Sequence, residues 1–255
     1  MKKMITLYAW LLLSMCFVAN VKAAPVPVGL WLADGNALDT IGSNNGTLTG
    51  TTTFAAGKHG QAFSFDGNGL VKLPDNTFDY LASGNISISA WMKTNLGNVP
   101  GSAGGDVTSV MFNRSWMLYF DFAEVGVPAP IWNGSFGSRL SSGIDIRDNK
   151  WHNVTSVFNS GTANVYIDGI LKATGTRALG SGGVSTNDNQ FGGGYFSNYI
   201  GLLDEVAIYD TALSQADVTA ITNGSLTAVP VPAAIWLFGS GLIGLLGMKK
   251  AKQRT

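Results

Sequence analysis

Short hydrophobic runs with a period of two fill the middle of this chain, and clusters of Gly, Asn, Asp and Ser separate them. From about residue 26 to about residue 226 the pattern predicts half-buried strands stacked as a sandwich. The clearest strand spans 85–94, with Ile86, Ile88, Ala90 and Met92 on one face and Ser87, Ser89, Trp91 and Lys93 on the other. A second sets Ala163, Val165 and Ile167 against Asn164, Tyr166 and Asp168, and Asp168-Gly169 then supplies a type I′ hairpin turn. Val206 and Ile208 mark a late strand. One short helix is predicted after Ser214, a good N-cap, with Asp217 at N3, Leu213 stapling onto Val218, and Gly224 as its stop. Residues 47–53 and 97–105 read as low-complexity loops, because apolar alternation resumes after each.

The ends depart from this pattern. Residues 1–23 read as a secretory signal peptide: Lys2 and Lys3 begin it, an apolar run follows from Ile5 to Val18, and Val21 and Ala23 suit positions −3 and −1 of a cut before Ala24. The apolar run is short for a retained span. Leu13-Ser14-Met15-Cys16 approaches a lipobox, but Met15 is larger than the residue usual there. At the other end Val229-Pro230-Val231-Pro232-Ala233 precedes an apolar stretch through Leu246 and a basic close of Lys249, Lys250, Lys252 and Arg254. Such a stretch just crosses a bilayer as a helix, and the cations hold its C-terminus in the cytoplasm. A permanent anchor is the alternative to a removable one. The expected organisation is 1–23 signal peptide, 24–226 β domain, and 227–255 a sorting tail with a transmembrane helix.

The formal net charge is zero, yet seven of the sixteen basic residues sit in the two ends. All sixteen acidic residues fall between Asp34 and Asp217, so the middle carries nine basic residues against sixteen acidic ones. An acidic domain repels phosphate backbones, which argues against nucleic acid as a partner. The single cysteine, Cys16, lies in the leader. The mature domain therefore has no disulfide, thiolate metal ligand or Cys nucleophile. Burial alone holds its core, and about 200 residues suffice for that.

Two resemblances follow from the motifs. The tail, Val229-Pro230-Val231-Pro232-Ala233 followed by Trp236-Leu237-Phe238-Gly239-Ser240-Gly241, resembles the PEP-CTERM sorting signal in its Val-Pro-x-Pro-Ala variant. That resemblance implies signal peptidase and an exosortase as processing partners, transient inner-membrane anchoring, and release to the cell surface or extracellular matrix. In the middle, Trp31-Leu32-Ala33-Asp34-Gly35, Gly60-Gln61-Ala62-Phe63-Ser64-Phe65-Asp66-Gly67, Ser87-Ile88-Ser89-Ala90-Trp91, Trp151-His152-Asn153-Val154, Val165-Tyr166-Ile167-Asp168-Gly169 and Leu203-Asp204-Glu205-Val206-Ala207-Ile208-Tyr209 occur in the order of laminin-G-like domains. This second resemblance implies an all-β concanavalin A-like jelly roll of two antiparallel sheets. It also implies a structural calcium ion, for which Asp34 and Asp204, with carbonyls near Asn45 and Gly46, are the candidate oxygen ligands.

Catalytic chemistry finds little support. A glycosidase needs two positioned carboxylates, and the glucanase pattern Glu-x-Asp-x-x-Glu is absent. Asp121 and Glu124 are three apart, and Asp204 and Glu205 adjacent, so strand alternation puts each pair on opposite faces. His59 precedes Gly60 and reads as a solvated turn residue; His152 belongs to the Trp151-His152 motif and reads as structural. Residues 97–145 match the laminin-G motifs poorly. There Asn113, Arg114, Trp116 and Trp132 are the candidate ligand-binding residues, since sugar rings stack on aromatics while amides and guanidinium bind hydroxyls. The leading expectation is a non-catalytic surface module binding carbohydrate or mediating adhesion. A structural envelope component binding protein partners is the second, and a divergent glycosidase the third.

Overall fold

The computed structural model describes residues 25–74, 85–94, 107–113, 116–121, 129–133, 139–176, 189–193, 197–224 and 226. All belong to one compact unit, Pro25–Ala228. The segments expected to be a leader (1–23), a loop (97–105) and a sorting tail (227–255) lie outside the described residues.

In chain order the strands are β1 (Gly29–Trp31), β2 (Thr47–Thr49), β3 (Thr53–Ala56), β4 (Gln61–Asp66), β5 (Leu70–Lys72), β6 (Ile86–Lys93), β7 (Val107–Asn113) and β8 (Trp116–Asp121). They continue as β9 (Ala129–Asn133), β10 (Arg139–Ser141), β11 (His152–Asn159), β12 (Thr162–Ile167), β13 (Ile170–Thr176), β14 (Gln190–Phe191), β15 (Ser197–Asn198) and β16 (Ile200–Tyr209). One helix, α1 (Gln215–Asn223), follows. The first sheet runs β13-β12-β11-β6-β16-β4-β3, with β1 beside β16. The second runs β10-β9-β8-β7-β14-β5-β2, with β15 beside β7. The pairings within this order are antiparallel. This is the expected jelly roll of two antiparallel sheets with one short helix.

Strand alternation builds the core between the sheets. Ile86, Ile88, Ala90 and Met92 of β6 meet Val154 and Phe158 of β11 and Leu203, Val206 and Ile208 of β16 in one buried cluster. From the second sheet Val71, Phe191 and Leu140 enter the same cluster. Trp31 packs edge-on against Phe191 at 4.9 Å, and its Nε1 donates to the Asn44 carbonyl at 3.1 Å.

The other face of β6 is buried as well, although its sequence is polar. Helix α1 lies over it, so Val218 and Ile221 join Leu30, Val157, Tyr166, Ala207 and Tyr209 in a second apolar cluster. The polar residues beneath pair with one another: Asn153 Nδ2 donates to Ser89 Oγ at 3.2 Å, and Thr155 Oγ1 donates to Asn153 Oδ1 at 2.9 Å. Thr222 of α1 also donates to Asn153 Oδ1, at 3.2 Å. Ser214 caps the helix in a complete capping box with Asp217. Gly224 ends it in extended backbone, φ −124°, not in the left-handed turn that glycine usually supplies. Asp168 and Gly169 take φ of 52° and 77°, as a type I′ turn requires.

One expected loop is a strand. Within 47–53, Thr47, Leu48 and Thr49 form β2 against Lys72, Val71 and Leu70. The threonines that look like low complexity are β-branched residues suited to an edge strand.

Candidate functional site

Asp204 and Glu205 do not oppose each other as simple alternation suggests. The register of β16 on β6 shifts between Asp204 and Ala207, and Glu205 takes φ 47°. This bulge inserts one extra position, so both carboxylates reach the same turn between β3 and β4. Asp204 Oδ2 accepts from the His59 backbone N–H at 2.9 Å. Glu205 Oε1 lies 3.1 Å from His59 Nδ1, out of hydrogen-bond alignment. His59 is therefore not simply a solvated turn residue: its side chain is 37% exposed and its ring sits edge-on to Trp91 at 6.3 Å. Lys58 Nζ stands 4.4 Å from the centroid of the Trp91 ring, a cation–π contact.

Asp34 holds the same turn from the end of β1, accepting from the Gln61 N–H at 2.8 Å. Gly60 is required there: its φ is +51°, and a Cβ would collide with the Asp34 carboxylate. At Gly57 a Cβ would come within 2.6 Å of Asp204 Oδ2. Burial pushes the Asp204 carboxyl up to about 6; the His59 N–H opposes this and the Glu205 charge adds to it. Burial likewise raises the Tyr209 hydroxyl, with the charges of Glu205 and Asp217 adding. Asp204 is 0% and Glu205 2% exposed. Carboxylates enclosed in this way organise a turn and are poorly placed to meet a sugar lying on the surface.

The four candidate calcium ligands separate into two turns. Asp34 and Asp204 clasp the β3–β4 turn. Asn45 and Gly46 belong to the turn after β1, where Asn45 Oδ1 accepts from the Asp39 N–H at 2.9 Å and the Gly46 N–H donates to the Ala37 carbonyl at 2.7 Å. Buried Asp39 organises that turn, accepting from the N–H groups of Leu30, Ile41, Gly42 and Asn44. Among the described residues no group of three or more acidic or histidine side chains is arranged to hold a metal. The pair Asp34 and Asp204 offers hard oxygen donors on one turn.

His152 is held at both ring nitrogens, 2.8 Å from Asp168 Oδ2 and 3.1 Å from Asp148 Oδ1. Burial lowers its pKa, but the hydrogen bonds and charges of Asp168 and Asp148 outweigh this and raise it. Asp168 Oδ1 also accepts from the Asn153 N–H at 2.9 Å, so the histidine braces the β12–β13 hairpin.

The second sheet has a different character. A continuous row of paired residues crosses it: Leu48, Val71, Phe191, Met111, Leu118, Trp132 and Leu140. Val71, Phe191 and Leu140 are core residues, so this row marks the inner face. Trp132 stands in it; Trp116, two positions from Leu118, and Asn113, paired with Trp116, share that face. Three of the four candidate ligand-binding residues thus occupy inner-face positions. Arg114 lies outside the described residues, as does Glu124, while Asp121 closes β8.

The neighbouring row belongs to the outer face. It pairs Thr47, Lys72 and Gln190 with Phe112, Met117, Asn133 and Arg139. Beside it, Ser109, Tyr119, Ile131 and Ser141 form the next outer row. Thr47 is exposed, and Lys72, Gln190 and Ser141 are half-buried. Apolar and aromatic positions thus occupy the centre of the face, with amide, hydroxyl and basic positions to both sides. The alternation of Met117, Tyr119 and Asp121 with Trp116, Leu118 and Phe120 is visible in the chain. Which set faces outward requires the strand partners.

The family model described as the concanavalin A-like lectin/glucanases superfamily matches residues 65–219. Among solved structures, domain 4 of AbnA, a GH43 extracellular arabinanase from Geobacillus stearothermophilus, in complex with arabinotriose, is similar at 21% identity and a TM-score of 0.60, over 79% of this chain and 100% of that one. The binding domain of botulinum neurotoxin DC in complex with rat synaptotagmin II is similar at 20% identity and a TM-score of 0.56, over 77% of this chain and 50% of that one. The binding domain of Paraclostridial Mosquitocidal Protein 1 is similar at 17% identity and a TM-score of 0.55, over 75% and 52%. The chain spans about half the length of these toxin binding domains. At such identities the likeness establishes the fold alone. No curated protein matches the chain.

Proposed function

This chain belongs to the concanavalin A-like lectin/glucanases superfamily, and from that premise we propose that residues 24–226 are a non-catalytic laminin-G-like module that binds carbohydrate on an exported protein. The observation that carries this reading is the outer face of the second sheet, where Phe112, Met117 and Tyr119 lie between Gln190 on one side and Asn133 on the other. Apolar ring faces stack on sugars, and flanking amides match their hydroxyls. The enclosure of Asp204 and Glu205 supports a binding role over hydrolysis. AbnA domain 4, a neighbour in fold, was solved with arabinotriose.

The test is retention of the full chain on polysaccharide affinity gels, wild type against Tyr119→Ala. The reading expects retention that falls about tenfold in the variant. A chain that passes every gel unretarded would instead favour a protein-binding envelope component, a role consistent with the synaptotagmin complex of a toxin neighbour. Glycan cleavage lost in Glu205→Gln would revive the glycosidase reading.

Export completes the proposal. The leader directs secretion and is cut before Ala24. The tail holds the chain in the inner membrane until an exosortase cuts near Val229-Pro230-Val231-Pro232-Ala233. The module is then displayed at the cell surface or in the extracellular matrix. Calcium, implied by the laminin-G resemblance, would use Asp34 and Asp204 and would tie the β3–β4 turn to the ends of β1 and β16.

A further inference from the structure

Four Asn-Gly pairs occur in the chain: Asn45-Gly46, Asn68-Gly69, Asn133-Gly134 and Asn223-Gly224. In such a pair the backbone nitrogen after the asparagine can attack the side-chain amide, because glycine sets no Cβ in its way. Asn133-Gly134 extends outside the described residues, and tertiary structure treats the other three differently. At the first, the Gly46 N–H donates to the Ala37 carbonyl at 2.7 Å, and Asn45 Oδ1 accepts from the Asp39 N–H at 2.9 Å. At the second, Gly69 is buried, and a Cβ there would collide with Thr52 Oγ1 and the Thr49 carbonyl, so a ring has no room to form. Asn223 is the exception. It is the last residue of α1 and is exposed. Gly224 leaves the helix in extended backbone, and its N–H reaches the Ile221 carbonyl at 3.4 Å, a long and weak hydrogen bond. Among the described residues, the atom nearest to a Cβ at Gly224 is the Ala220 carbonyl oxygen, at 3.3 Å.

We infer that Asn223-Gly224 is a self-modification site, where the chain converts its own asparagine to aspartate and isoaspartate without an enzyme. The Gly224 nitrogen, losing its proton to solvent base, bonds to Asn223 Cγ. The Cγ–Nδ2 bond breaks, and Nδ2 leaves as ammonia with a proton from water. A second water then opens the cyclic imide at either carbonyl. The sum is amide plus water giving acid plus ammonia, with no oxidation or reduction. The product acts through its place in the fold. A carboxylate at the C-terminal end of a helix is repelled by the negative pole of the macrodipole, and α1 has no basic residue in its last turn to offset it. Isoaspartate also routes the backbone through an extra carbon between Ile221 and Leu226, which both pack on the second apolar cluster. Thr222, beside the site, ties α1 to Asn153 of β11 at 3.2 Å. Conversion therefore loosens the C-terminal end of the helix over the polar network it covers.

The experiment incubates the purified full chain at mildly alkaline pH in heavy-oxygen water and follows each Asn-Gly peptide by mass spectrometry. The peptide holding Asn223 should take up heavy oxygen about fivefold faster than the one holding Asn45, the factor that one net hydrogen bond is worth. The peptide holding Asn68 should lag as well. In denaturing urea the three rates should converge, since folding is what protects Asn45 and Asn68. Gly224→Ala should slow the reaction, because a Cβ crowds the attacking nitrogen, and Asn223→Gln should abolish it on the same timescale. No conversion at Asn223, or equally fast conversion at Asn45 or Asn68 in the folded chain, would overturn the site. A ranking that persists unchanged in urea would overturn its structural basis. The effect on α1 has its own readout. Urea titration should give Asn223→Asp a lower midpoint than Asn223→Gln, with the difference shrinking as salt rises. Equal midpoints at low salt would overturn the loosening of the helix.

Discussion

His152 shows how a single residue carries structural information into a measurable pH dependence. Its imidazole lies between Asp148 and Asp168, with Lys150 paired to Asp148 at 3.0 Å. Those carboxylates raise its pKa above the ordinary 6.5 despite partial burial. The folded state thus binds the proton more tightly than the unfolded chain does. The resulting stabilisation is fully present below pH 6.5 and is lost as pH rises through the higher folded value. The thermal midpoint of the wild type is expected to decline across that window, and His152→Gln should flatten the decline. The same slope in both proteins would remove this account. Asp204 supports a second residue-scale test. With its carboxyl raised to about 6 by burial, it gains from a cation, so calcium should raise the midpoint of the wild type and leave Asp204→Asn unmoved. At a hundredfold excess over the dissociation constant the gain would be about 2.7 kcal/mol. Equal midpoints for the wild type in calcium and in chelator would eliminate the site.

At the scale of elements, α1 decides which face of the first sheet meets water. The sequence pattern of β6 predicts one polar, solvated face, because Ser87, Ser89 and Trp91 alternate with apolar residues. The helix covers that face, and Ser87 Oγ instead donates to the Thr211 carbonyl at 2.7 Å while accepting from the Leu213 N–H at 2.9 Å. Loosening α1 therefore exposes both an apolar cluster and a polar network. Ser214→Ala removes the cap and is expected to cost about 1 kcal/mol, measurable by urea titration. Ser214→Asp should restore most of it, and an equal loss in both variants would show that the cap is not the cause. The sheet edges show a second element-scale device. Between the pairs Val165↔Ala173 and Tyr166↔Leu171, Lys172 is the extra residue of a bulge in edge strand β13. An exposed lysine in a bulge discourages edge-to-edge pairing between molecules.

Across the whole molecule, the two sheets divide the work. The first is covered on its outer side by α1 and by the β3–β4 turn, which uses its carboxylates internally. The second presents an outer face of mixed aromatic and polar positions. That division underlies the binding proposal. The proposed processing is tested on the same protein in cells. N-terminal sequencing of envelope material should begin at Ala24, and a strain lacking the sorting protease should retain a heavier form in the inner membrane. Material beginning at Met1, or equal mass and location in both strains, would count against it.

The all-β class, the capped helix and the Asp168-Gly169 turn were legible in the chain because each depends on local chemistry: a two-residue side-chain period, a side-chain cap, and backbone freedom at φ above zero. The order of laminin-G-like motifs added the jelly roll. Three matters were decided only by tertiary structure. The bulge at Glu205 turns two adjacent carboxylates to one side, and alternation alone predicts the opposite. His59 becomes a partner of Glu205 because strands distant in sequence bring them together. In β8, Trp116, Leu118 and Phe120 share the register face of Phe191 and Val71, which are in the core, and Met117, Tyr119 and Asp121 share the opposite one, a distinction that only pairing through β14 and β7 makes. Local pattern defines which residues share a face; only the register with neighbouring strands determines which face is buried.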